Sequence, residues 1–192
     1  MGFGLKIAPV VAGTSIYLRP SQWKDENFDL LAFSATGNNP LPDPIDLDNT
    51  NIKVAGFPAT QIREVSGTKE INHDAMLGGI IAPHIHWMPT TANAGNVVWR
   101  AEFYISYTNE PLVQGSFKIV SPASGVAWGN GRVNSEFGEF FNSLTEIGGQ
   151  LSFRLYRDTT DLDDTYPDTV AAQTFGYHYQ LDSAGSREKV IK

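Results

Sequence analysis

The sequence predicts an all-β protein, an antiparallel sandwich of jelly-roll type carrying an extended N-terminal arm. Three observations lead there. Several segments alternate apolar and polar residues with a period of two. Clusters of Gly, Asn, Pro and Ser punctuate them: "TTANAGN", "NEP", "SPASG", "WGNGR" and "DTYPDT". No strong helical period competes, and long one-faced sheets joined by turns close most readily on one another.

The first 60 residues read as arm and connection. "GNNPLPDPIDLDNTNIKVAGFP" (37–58) holds four of the eleven prolines, and proline removes backbone donors and favours extended or turn geometry. Ahead of it, "GTSIYLRP" and "NFDLLAFSA" each have the composition of a short strand. Residues 61–192 are assigned to the sandwich. In "NVVWRAEFYISYT" (96–108), Val97, Trp99, Ala101, Phe103, Ile105 and Tyr107 face one way, and Val98, Arg100, Glu102, Tyr104 and Ser106 the other. "QGSFKIV" (114–120) is a shorter strand of the same kind, and "GNGR" (129–132) reads as a hairpin turn. "NSEFGEFFNSLTEIGG" fits either a short helix or an irregular strand. Its Phe137, Phe140, Phe141, Leu144 and Ile147 have helical spacing, and its glycines weaken a helix. "QLSFRLYRD" (150–158) opposes Leu151, Phe153 and Leu155 to Ser152, Arg154 and Tyr156. "AQTFGYHYQLD" (172–182) opposes Phe175, Tyr177, Tyr179 and Leu181 to Thr174, Gly176, His178 and Gln180.

Composition narrows the function. The chain has 192 residues, 41% of them hydrophobic, which suffices for a packed core. Without cysteine it has no disulfide, thiolate ligand or cysteine nucleophile. A formal charge of −7 repels phosphate backbones, so no nucleic-acid partner is expected. No apolar run approaches the roughly 20 residues of a membrane span, and "MGFGLKIAPVVAG" does not read as a signal peptide. No membrane partner is expected.

The sharpest local signal is "PHIHW" (83–87). On a strand, His84 and His86 share one face while Ile85 and Trp87 take the other. A cupin-like metalloenzyme would use His84, His86 and His178 as ligands, yet no carboxylate follows in "WMPTTANAGN". The alternative gives the imidazoles a part in packing or contact between copies, with His84, His86, Trp87, Trp128 and His178 as the interface candidates. "RDTTDLDDTYPD" (157–168) gathers Asp158, Asp161, Asp163, Asp164 and Asp168. It is either a solvated acidic loop or a calcium loop without EF-hand spacing, and Asp158 is positioned to brace it through backbone donors. A carbohydrate-binding sandwich would use Trp23, Trp87 or Trp128 with calcium in that loop. No G-x-S-x-G turn or phosphate-binding glycine loop is present. No cofactor and no enzymatic activity are expected.

The order of several motifs carries a resemblance. "PHIHW-x-P", a Gly-Asn turn, "VVWRAEFYISYTN", "LSFRLYRDTTDLDDTY" and "FGYHYQLDSAGSREKVIK" together resemble small structural virion proteins of tailed bacteriophages. "INHDAML" (71–77) is similar to the stretch that precedes the paired histidines there. The likeness covers residues 60–192. It implies a decoration or cement-like protein on the capsid surface, made in the host cytoplasm, that binds the major capsid protein as a homotrimer. A tail, neck or fibre component is the alternative within the virion. Such a protein assembles through one repeated interface.

Overall fold

The computed structural model describes residues 22–33, 39–108, 110–139, 144–146 and 148–181. Among them are ten strands, β1 (Gln22–Asp29), β2 (Asp43–Asp46), β3 (Lys53–Phe57), β4 (Glu64–Glu70), β5 (Ile81–Pro89), β6 (Asn96–Ser106), β7 (Val113–Pro122), β8 (Val133–Glu136), β9 (Gln150–Arg157) and β10 (Val170–Leu181). All pairings are antiparallel. One sheet runs β2-β3-β10-β5-β8, with β1 also on β10, and the other runs β4-β9-β6-β7. The chain passes repeatedly from one sheet to the other, giving a jelly-roll sandwich.

The alternation read from β6, β9 and β10 is the alternation the core uses. Trp99, Ala101, Phe103, Ile105, Leu151, Phe153, Leu155, Phe175, Tyr177 and Tyr179 are all buried. An aromatic seam joins the layers: Phe28 lies 4.6 Å from Phe153, Phe153 lies 4.9 Å from Phe175, and Phe103 lies 5.6 Å from Phe175. Offset and tilted ring contacts of this kind add to the area they bury.

The sandwich begins earlier than residue 61. β1 pairs with β10 from Gln22↔Leu181 to Asp29↔Thr174, and β3 pairs with the start of β10. Residues 22–29, 43–46 and 53–57, assigned from sequence to arm and connection, are therefore strands of the first sheet. The reason is visible in β1: its core-facing positions are Lys24, Glu26 and Phe28, so two charges mask the period of two. Those charges are paired at the rim of the core. Lys24 binds Asp74 at 3.0 Å, and Lys69 and Asn72 donate to Glu26. Tyr179 Oη donates to Asp74 at 2.8 Å. The "INHD" stretch thus fastens the end of β1 to β10. "GTSIYLRP" lies outside the described residues.

Two other expectations change. The "WGNGR" region is a 3-10 turn, Trp128–Gly131, leading from β7 in one sheet to β8 in the other, so it turns a corner and not a hairpin. The ambiguous stretch after it is strand at Val133–Glu136, with Phe137 and Leu144 in the core; Phe140, Phe141 and Ile147 lie outside the described residues.

The Glu26 and Asp74 pairings predict acid sensitivity. Burial alone would push both carboxyls up. Hydrogen bonds from Lys69 and Asn72 to Glu26, and from Tyr179 and Lys24 to Asp74, outweigh it and hold both below their ordinary values. A depressed carboxyl stabilises the fold above its unfolded pKa, and that contribution is lost as pH falls through the folded value. The urea midpoint is expected to be flat above about pH 5.5 and to drop below about pH 4.5. Glu26→Gln should blunt the drop; an unchanged profile would remove Glu26 from the account.

Candidate functional site

The face of the first sheet turned away from the core carries the histidines. His84 lies opposite Gly176 on β10 and Glu136 on β8, His86 lies opposite Thr174 and Asn134, and Asp25 on β1 lies opposite His178. Gly176 decides the geometry. With no side chain in the rung between Asn27 and His84, the imidazole lies across β10 towards β1. A Cβ there would sit 3.2 Å from His84 Cε1, 2.8 Å from Asn27 Oδ1 and 2.4 Å from the Glu26 carbonyl oxygen. Gly176→Ala is expected to destabilise the protein by about 1–3 kcal/mol through that crowding, read as a lower urea midpoint. A wild-type midpoint would mean that the ring does not cross there.

His84 is fully buried, and neither of its ring nitrogens makes a well-formed hydrogen bond, the backbone of Ala82 offering a weak contact. His178 stacks on it at 4.3 Å and His86 meets it edge-on at 4.9 Å. Asp25 Oδ1 stands 3.5 Å from His84 Nε2, and Asn27 Nδ2 donates to Asp25 Oδ2 at 2.9 Å. Burial holds the His84 pKa below its ordinary value; His178 and Arg132 act in the same direction, and Asp25 opposes them. His86 is lowered too, by burial and then by Arg132. Arg132 Nη2 lies 3.1 Å from His86 Nδ1.

The structure thus brings His84, His86 and His178 together, as their sequence positions allow, but alters the ligand set. The donors converging within 4.8 Å of one another belong to Asp25, His84 and His178. His86 instead faces a guanidinium. Asp25 went unread because β1 went unread; its signal was one acidic residue two positions beyond Trp23 in a strand with masked alternation.

Trp87 leaves the interface set: it is fully buried, and its Nε1 donates to Ser135 Oγ at 3.0 Å. Trp128 is half-buried in the 3-10 turn, and Trp23 is exposed on the same outer face as Asp25.

The acidic loop is neither freely solvated nor a converging oxygen cage. Asp158 and Asp161 bind Arg100 at 3.0 and 2.9 Å, and Asp161 and Asp163 bind Lys118 at 2.8 and 3.0 Å. Asp164 binds Arg157 at 2.7 Å, and Asp168 accepts from Thr91 and Asn93. Each carboxylate has at least one partner, and Arg100 and Lys118 are each shared between two of them. Asp158 also accepts from Thr160 N and Oγ1, so the expected bracing is present. On the second sheet, a shallow depression of about 600 Å³ is lined by residues that include Phe33, Glu102, Tyr104 and Arg154. Arg154 bridges Glu64 and Glu102 there.

No protein-family model matches the chain, and no curated protein matches it in sequence. Among solved structures it is similar to TmCBM61 in complex with β-1,4-galactotriose, at 13% identity and a TM-score of 0.36, covering 82% of this chain and 88% of that one. It is also similar to part of dimeric latent PorU from Porphyromonas gingivalis, at 11% identity and a TM-score of 0.37. That match covers 84% of this chain and 13% of PorU.

Proposed function

We propose that the chain is a structural component of a tailed-bacteriophage virion, a capsid decoration protein that binds the major capsid lattice as a homotrimer. The observation that carries this reading is where the motif residues sit. Trp99 of "VVWRAEFYISYTN" is a core side chain, and Tyr166 of "DDTY" is buried. Arg157 of "LYRD" clamps the loop that follows it through Asp164. The Tyr177 and Tyr179 of "GYHYQ" line the core. Residues that define the resemblance are thus framework residues, as suits a protein whose task is to hold shape and repeat one contact many times. A net charge of −7 favours a soluble state before assembly.

Imaging of virions by cryo-electron microscopy tests the reading. Density fitting this sandwich is expected on the outer surface of the head, in groups of three. Density at the neck, tail or fibre would support the virion assignment and overturn the decoration role. Absence of the chain from purified particles would overturn both.

A further inference from the structure

We propose that Asp25, His84 and His178 form a binding site for a divalent transition metal of the Zn2+ class, tying β1 to β5 across β10. Four observations converge on it. The three donor atoms come from three strands and lie within 4.8 Å of one another. His84 is fully buried and neither ring nitrogen makes a well-formed hydrogen bond, with only the Ala82 backbone and the Asp25 carboxylate close by, a cost that a metal bond at one nitrogen would offset. Asp25 is already oriented, with Oδ2 held by Asn27 and Oδ1 directed to His84 Nε2. Gly176 clears the floor over which the ring must pass.

The distances suit the ion. Two ligands bonded to Zn2+ at about 2.0–2.1 Å, at the tetrahedral angle, stand about 3.3–3.4 Å apart. The separation between Asp25 Oδ1 and His84 Nε2 is 3.5 Å. The His178 nitrogen, inside the 4.8 Å limit, needs to move by no more than about 1.5 Å to complete the set. Two imidazoles and one carboxylate suit zinc and its transition-metal neighbours, whereas Ca2+ and Mg2+ take mostly oxygen ligands. The Asp25 side chain is 41% exposed, so a fourth position opens to solvent. His86 is excluded by the Arg132 guanidinium beside its ring. The role assigned is mechanical: β1 has mostly exposed residues and one fully buried side chain, Phe28, and a bond to His84 would reach past its neighbour to the next strand.

The test uses the full chain, stripped with chelator and titrated with Zn2+ or, for its visible absorption, Co2+. One ion per chain is expected. At a hundredfold excess over Kd, the melting temperature should rise by about 5–10 °C. Asp25→Asn and His178→Gln, both at partly exposed positions, should fold and weaken binding about 100-fold or more. His86→Gln should leave binding unchanged. The proposal is overturned if no ion binds stoichiometrically, if folded Asp25→Asn and His178→Gln proteins bind like wild type, or if His86→Gln weakens binding as much as they do.

Discussion

Arg157→Met is expected to cost about 3–5 kcal/mol of stability. Arg157 ends β9 fully buried, and all five of its N–H donors are used. Nε and Nη2 reach the two oxygens of Asp164 at 3.0 and 2.7 Å, Nη1 reaches the carbonyls of Asp168 and Phe57 at 2.6 and 3.3 Å, and Nη2 also donates to the carbonyl of Tyr166. The Asp164 side chain is 3% exposed. Without the guanidinium it keeps one amide donor, Val98 N at 2.9 Å, for a full buried charge. Three carbonyls lose a donor at the same time. Lysine should rescue little, because one ammonium cannot reproduce a planar fork. Arg157→Met with Asp164→Leu should recover part of the loss by removing the orphaned charge. Urea unfolding measures all three, and a single variant within about 1 kcal/mol of wild type would show that the clamp is dispensable.

The second large effect is expected at Trp99. Trp99→Ala should cost about 3–5 kcal/mol. The indole is fully buried, 5.1 Å from Phe57 and 6.2 Å from Trp87 across the sandwich. Its Nε1 has no acceptor among the described residues, whereas the Nε1 of Trp87 donates to Ser135, itself paired with Ser121. Phenylalanine should therefore be tolerated better at 99 than at 87. At 99 it removes an unsatisfied donor; at 87 it strips a partner from a buried serine pair. Thermal and urea unfolding of the two Phe variants decide the order, and the reverse order would contradict this account of the core.

The parts of the fold that could be read in advance were those where one face is consistently apolar. β6, β9 and β10 place hydrophobic residues at nearly every inward position, with Arg157 at the end of β9 the exception, so the period of two is plain. On β5 the same rule correctly separated His84 and His86 from Ile85 and Trp87, but it did not say which pair faced the core, and Trp87 was placed among the interface candidates although it is buried. β1 defeats the same rule because Lys24 and Glu26 face inward and find partners at Asp74, Lys69 and Asn72, which are 43 to 50 positions away. Asp25 was lost with it. The acidic loop was misjudged for a related reason. Its cations, Arg100 and Lys118, lie on separate strands and meet as direct neighbours only once β6 and β7 pair. Two outward cations at facing positions were the available signal that anions would come to them. A run of aspartates looks solvated until the strands that neutralise it are in register.

The placement of β10 has a consequence for biosynthesis. Although it is the last described strand, β1, β3 and β5 all bond to it. At translation rates of 5–20 residues per second, β1 emerges on the order of ten seconds before the strand it needs. During that interval the nascent chain presents unpaired edges with no template to receive them, so ribosome-bound intermediates should be clients of holding chaperones, and premature termination ahead of residue 170 should yield insoluble product.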